Sequence, residues 1–269
     1  MTTQSVETPS VQKNTDRRGV TTITLNRPDK RNAFDDRIIT ELTTALTDAA
    51  ANQDCRVVVL AGAGRHFSAG ADLGYMQRTA ELSRDENIED ARRLARLMQV
   101  LDQLSVPTIA RVQGAAFGGA IGLICACDIA IGADNARLCL SEARLGLTPA
   151  AIGPYVVRAM GPRQARRYFQ SAEEISAPQA IALGLLHEQI AESELDERVE
   201  SLVATLLRNG PVAMAAGKAL VGRIAGADND STLIDHTASV IADLRTGTEG
   251  QEGLLAFFEK RSPDWAVNS

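Results

Sequence analysis

Three short stretches hold residue types that could act on a carbonyl group. "SAGAD" (68–72) and "FGGA" (117–120) are glycine-rich turns, and Glu142 lies in "CLSEARLGLTP" (139–149), just after a short apolar run. Glycine lets a ligand approach the backbone closely. A helix start leaves N–H groups without partners and carries a partial positive charge. Two such turns at one point would supply two N–H donors, the ingredients of an oxyanion hole. The same glycines also suit tight packing at helix–strand crossings, and residue types alone leave both readings open. A carboxylate at the end of a buried strand is costly unless paired or functional, and Arg144 is the obvious pairing candidate for Glu142. Asp72 and Asp128 read as helix caps or turn pins.

Other chemistry is disfavoured. "GAGRHF" has Phe67 where a dinucleotide fingerprint needs its third glycine. Ser68 sits in S-A-G, not in the elbow of a serine hydrolase. His66, His187 and His236 are scattered, with no metal-ligand spacing, so no metal is expected. Arg27, Lys30 and Arg31 suit either a solvated loop or a phosphate.

The elements that must position these residues follow from periodicity. "GVTTITLN" (19–26) reads as a strand with Thr21, Ile23 and Leu25 on one face. Residues 36–51 put Ile38, Ile39, Leu42, Ala45, Leu46 and Ala49 on one helical stripe. "RVVVLAG" (56–62) has the continuous β-branched run of a buried parallel strand. Ser83 and Glu86 offer a capping box ahead of a helix whose apolar positions run from Ile88 through Met98 to Leu104. Strands follow at 106–114, 129–133, 136–140 and 185–190, and helices at 194–208, 211–224, 231–245 and 249–260. Alternation up to about 193 predicts a mainly parallel α/β core domain over 19–193. The helical remainder, 194–269, predicts a domain for assembly, and the polar residues 1–18 predict a flexible tail.

Composition agrees with a water-soluble chain. It has 269 residues, 45% hydrophobic and 23% charged, and a net charge of −6, which argues against nucleic acid as a partner. No stretch reaches the roughly 20 apolar residues that span a membrane. Cys55, Cys125, Cys127 and Cys139 read as reduced core residues of a cytoplasmic protein.

"LNRPDKRNAF", "HFSAGADL", "VQGAAFGGAIGLICACDIAI", "SEARLGLTP" and "GLLAFFEKR" together resemble the crotonase (enoyl-CoA hydratase/isomerase) superfamily, in order and spacing, over residues 19–262. The "FGGA-x-GL" and "CLSE-x-R-x-GL-x-P" forms are most similar to bacterial hydratases of branched or carboxylated enoyl-CoAs. These are the methylglutaconyl-CoA and carboxygeranoyl-CoA hydratases of leucine and acyclic terpene degradation.

The resemblance implies a crotonase-like spiral of ββα turns with a C-terminal helical region that builds trimers, often stacked as hexamers. It implies an acyl-CoA substrate, with coenzyme A part of the substrate and no separate cofactor. Ala71 and Gly119 match the two oxyanion-hole positions. Arg27, Lys30, Ala33, Ala69, Asp72 and Leu73 match positions around the CoA and acyl chain. Phe257 and Lys260 match residues that reach CoA from a neighbouring subunit. Typical hydratases use two glutamates, of which the second falls on Glu142 and the first on Gly122. The missing carboxylate leaves Glu142 as the catalytic residue and suggests extra room in the acyl pocket. It keeps three readings alive: a one-glutamate hydratase, a double-bond isomerase, and a non-catalytic acyl-CoA-binding protein. For a carboxylated substrate the candidate cations are Arg144, Arg78 and Arg84.

Overall fold

The computed structural model describes residues 9–266. In chain order its elements are β1 (Val11–Thr15), β2 (Val20–Leu25), α1 (Asp36–Ala51), β3 (Val57–Gly62), α2 (Leu73–Ala80), α3 (Arg84–Asp102), β4 (Thr108–Val112), β5 (Ala115–Phe117), α4 (Gly119–Ala126), β6 (Ile129–Ala133) and β7 (Arg137–Cys139). There follow α5 (Gly153–Ser171), β8 (Glu174–Ser176), α6 (Ala177–Ala182), β9 (Glu188–Ile190), α7 (Leu195–Leu207), α8 (Pro211–Ile224), α9 (Ser231–Thr246) and α10 (Thr248–Glu259). The main sheet has six strands in the order β1-β2-β3-β4-β6-β9, parallel except for β1 against β2. A second sheet, β5-β7-β8, lies apart from it.

The apolar patterns translate directly into packing. In α1 the buried residues are Ile38, Ile39, Leu42, Ala45, Leu46 and Ala49, the stripe read from sequence, and Asp35 caps the helix through the Ile38 N–H. All six residues of β3 are buried, as expected of a central parallel strand covered on both faces. One face packs against α1 and α3; the other is covered by α7 through Leu195, Val199, Val203 and Leu207, spaced four apart. The break expected after residue 193 therefore does not detach α7 from the core.

Two further expectations need correcting. Val11–Thr15, inside the expected 1–18 tail, is a strand that pairs with β2 in the register Val11↔Leu25 to Thr15↔Thr21. Its polar side chains face water, so it shows no apolar alternation, while its backbone closes the edge of β2. Residues 1–8 lie outside the described range. In α3 the capping box of Ser83 and Glu86 forms, but the buried set is Asp90, Leu97, Met98 and Leu101. Asp90 is retained by the Tyr75 hydroxyl and Arg93.

Helices α8 and α9 have no buried residue. Val212, Val221, Ile224, Ile234 and Ile241 on them are exposed, as are Leu254, Leu255, Phe257 and Phe258 of α10. Among the described residues no helix is long and apolar enough to cross a membrane, and no group of His, Cys, Asp and Glu could hold a metal ion.

Candidate active site

The two glycine-rich turns lie side by side. Ser68 and Ala116 form a parallel bridge, with the Ser68 N–H donating to Ala115 O (3.0 Å) and the Phe117 N–H to Ser68 O (3.0 Å). A Cβ on Gly70, whose φ is +90°, would stand 3.0 Å from Phe117 O, so only glycine lets the turns approach this closely. The buried Ser68 hydroxyl donates to Asn32 O (2.7 Å) and accepts from the Gly70 N–H (3.2 Å).

A third segment braces the first turn. Phe34 bridges Ala71: the Phe34 N–H donates to Gly70 O (2.6 Å) and the Asp72 N–H to Phe34 O (2.7 Å). Asn32 is fully buried, with a left-handed φ of 55° that asparagine tolerates. Its amide donates to Ala63 O (2.9 Å) and His66 O (2.8 Å).

This framework leaves two N–H groups unengaged. Phe34 bonds on either side of Ala71, so the Ala71 N–H points away from it. Gly119 is the first residue of α4, where an N–H has no partner within the helix. Neither N–H has an acceptor among the described residues. Gly118 makes the turn into α4 at φ 52°, ψ −123°, held by its N–H to Cys139 O (2.9 Å). The Phe34 ring lies 3.5 Å from the place a Cβ would take on Gly119. The α4 start and the Ala71 loop therefore share one neighbour.

Glu142 arrives from the second sheet. β7 ends at Cys139, and a 3-10 turn (Ser141–Leu145) carries Glu142 back over α4. Its Oε1 stands 3.3 Å from where a Cβ on Gly118 would be. Its Oε2 is buried with no hydrogen-bond partner. Burial pushes the carboxyl above its ordinary value of 4.5, opposed only by its own backbone N–H. The pairing with Arg144 does not form: the Arg144 guanidinium donates to Ala172 O (2.6 Å).

Gly122 does not open space. A Cβ there would stand 2.3 Å from Ile152 Cγ2 and 2.7 Å from Ile152 Cβ. The extra acyl room expected from this glycine is taken by Ile152, which is 1% exposed. Gly122 lies within α4, four residues after the Gly118 cap that the Glu142 carboxyl approaches. A side chain at 122 would meet the apolar Ile152 and Met98.

The remaining candidates divide into two groups. Arg27, Lys30, Ala33, Ala69, Asp72 and Leu73 gather around the braced turn. Asp72 caps α2, accepting from Gly74 N (2.9 Å) and Tyr75 N (3.2 Å), so the capping role read from sequence holds. Burial alone would raise its carboxyl, but these N–H groups and the Lys30 ammonium outweigh it and hold the group below the ordinary range. Arg27 pairs with Asp35 and Asp72, whereas Lys30 meets only Asp72, at 3.5 Å. Ala33 is buried, Ala69 half-buried, and Leu73 78% exposed. Phe257 and Lys260 lie on and just after α10, which packs on α8 and α9. No hydrogen bond or ion pair among the described residues joins them to the other candidates. Asp128 pins strands, accepting from the Thr108 N–H (2.8 Å) and pairing with Lys218 (2.8 Å).

His66 and the cysteines do not join the site's proton chemistry. His66 Nδ1 accepts from the Ala115 N–H (3.1 Å), and burial with Arg31, Arg137 and Arg65 nearby lowers its pKa. Burial raises all four thiols, Cys125 to about 12. Sequence reasoning missed Ile152 and Phe34. Nothing in "AIGPY" marks Ile152, whereas Phe34 closes the quoted motif "LNRPDKRNAF" directly after Ala33, which was a usable signal.

Two unengaged N–H groups beside one partly buried carboxyl are the kinds of group that polarise a carbonyl and move a proton. The comparisons agree with that chemistry. The enoyl-CoA hydratase/isomerase family model matches residues 15–268. The crystal structure of an enoyl-CoA hydratase from Shewanella pealeana is similar at TM-score 0.92 and 46% identity, covering 95% of this chain and 96% of that one. The 2,3-dehydroadipyl-CoA hydratase of Escherichia coli is 32% identical over 90% of this chain and 93% of its own. The crotonyl-CoA hydratase of Syntrophomonas wolfei is 31% identical over 90% of this chain and 92% of its own.

Proposed function

The chain belongs to the enoyl-CoA hydratase/isomerase family, and from that premise we propose that it adds water reversibly across the 2,3 double bond of a 2-enoyl-CoA thioester. The observation that carries this reading is the half-buried Glu142 carboxyl beside the α4 start, with its Oε2 buried and without a hydrogen-bond partner, together with the unengaged N–H groups of Ala71 and Gly119.

In this reading the thioester oxygen accepts from Ala71 and Gly119. Electron density leaves the double bond, Cβ becomes electrophilic, and a water oxygen bonds to it. The water proton passes to Glu142 as the carbonyl oxygen gathers charge. The enolate then collapses, and Glu142 returns a proton to Cα. One water is consumed, Glu142 ends as it began, and both additions come from one face. Two oriented donors are worth about 3 kcal/mol each in such sites, and the positioned acid/base roughly 10²–10⁴-fold.

Ile152 favours a second reading. Hydration through one carboxylate gives the water a single anchor, and the place of the other is filled by an apolar side chain. A double-bond isomerase shuttles one proton between Cα and Cγ and needs only Glu142. Purified protein assayed with crotonyl-CoA and with a 3-hexenoyl thioester separates the two. Hydration supports the first; conversion of the 3-enoyl to the 2-enoyl thioester, with crotonyl-CoA untouched, replaces it by the second. Binding of both without turnover replaces it by a non-catalytic role.

Arg78 is paired with Asp36 and Arg84 lies by Asp85, whereas Arg144 donates to the neutral Ala172 O and has no ion-pair partner among the described residues, so Arg144 is the one of the three left as an unpaired cation for a distal carboxylate. The exposed apolar residues of α8–α10 support assembly as trimers, which would bring Phe257 and Lys260 of a neighbouring copy toward bound CoA.

A further inference from the structure

We propose that Arg27 is a positioning residue that sets the Ala71 N–H through Asp35 and Asp72, and is not a ligand of the CoA phosphates. The inference rests on the thioester reading above, which gives the Ala71 N–H its task.

Arg27 bridges two helix caps. Nη1 donates to Asp35 and reaches Ala33 O at 3.5 Å, while Nη2 donates to Asp72 Oδ2 at 3.3 Å. Each carboxylate divides its oxygens. Asp35 Oδ1 caps α1 through the Ile38 N–H (2.9 Å), and Oδ2 takes Arg27. Asp72 Oδ1 caps α2, and Oδ2 takes Arg27. These aspartates directly follow Phe34 and Ala71, the bridged pair. The guanidinium therefore ties together the two strands of that bridge one residue beyond the Ala71 peptide. The Arg27 backbone N–H also bonds Asn32 Oδ1 (2.9 Å), anchoring it to the same loop.

These pairings argue against a phosphate role. The Arg27, Asp35 and Asp72 side chains are only 15%, 17% and 13% exposed, and both Nη atoms of Arg27 are already engaged by the two carboxylates. A phosphate would have to displace those carboxylates to reach the guanidinium. Lys30, 54% exposed and tied to Asp72 only at 3.5 Å, is the cation free to turn to an anion. The planar fork matters, because a guanidinium can serve two carboxylates at once where an ammonium is a point charge.

The test compares Arg27→Lys with wild type using free CoA and 4-(dimethylamino)cinnamoyl-CoA, whose absorbance moves to the red when its carbonyl is polarised. The expected result for Arg27→Lys is an affinity for free CoA within about twofold of wild type. Its kcat falls about 10- to 100-fold, the scale of a misplaced group, with KM little changed and a smaller red shift. Lys30→Met shows the opposite split, with weaker CoA binding and an undiminished red shift. A wild-type red shift in Arg27→Lys, with CoA affinity lost, would overturn the proposal. Should Arg27→Lys not fold, Asp72→Asn keeps the capping oxygen but weakens the tie and carries the same expectations. Wild-type protein that binds the probe with no red shift overturns the thioester reading itself, and the task given to Ala71 with it.

Discussion

Ile152 occupies the volume that any side chain on Gly122 would need, its Cγ2 lying 2.3 Å from the position of a Cβ there. The two residues are size-complementary across the α4–α5 contact. At the Gly118 cap of the same helix the Glu142 Oε1 stands 3.3 Å from the position of a Cβ, a tight but not excluded approach. The space beside Gly122 is apolar, filled by Ile152 and Met98, and every proton transfer in the proposed reaction falls to Glu142.

Gly122→Ala is expected to destabilise the fold by about 1–3 kcal/mol through overpacking. In the Ile152→Ala background the same change costs less, because the nearest methyl group is gone. Denaturant unfolding of the two single variants and the double variant measures the coupling. Strict additivity would show that the two side chains do not compete for space.

Glu142 links stability to pH. Burial raises its carboxyl above 4.5, so the folded chain holds this proton more tightly than the unfolded chain. Below the unfolded value the group is neutral in both states. As pH rises through the folded value, a buried charge appears and stability is lost. Glu142→Gln removes that loss, so its melting temperature should exceed that of wild type at about pH 8, with the gap closing near about pH 4. A gap of constant size at every pH contradicts the assignment. The same variant should turn over substrate at least about 10²-fold more slowly.

Gly119→Pro deletes one proposed donor while respecting local structure. The first position of a helix tolerates proline, and a Cβ there has ordinary clearance from Phe34, 3.5 Å. Turnover should fall about 10²–10³-fold with an unchanged melting temperature. Unimpaired turnover in the folded variant would remove Gly119 from the oxyanion hole.

Phe257 and Phe258 are 76% and 74% exposed, large apolar surface on a helix already packed against α9. Replacing both by serine should shift the sedimenting species toward the single-chain mass. A wild-type protein that sediments as one chain at all concentrations contradicts assembly through this surface.

Local pattern alone determined a good part of this protein. The α1 stripe, the buried run of β3, the Ser83 capping box and the Asp72 cap are set by residues within one or two turns of each other, so periodicity and side-chain chemistry reveal them. The glycine turns and Glu142 were visible as residue types, and the motif order made the family legible. The edge strand Val11–Thr15 was hidden because its side chains carry no alternation and only its backbone is committed. Tertiary structure decided what Gly122 means, since the residue that fills its space lies 30 positions away and nothing near Ile152 announces it. It also decided Arg27, which looked like a solvated or phosphate-facing cation until two aspartates, 8 and 45 residues distant, closed on it. Packing volume and charge balance are sums over neighbours in space, and the chain order does not list those neighbours.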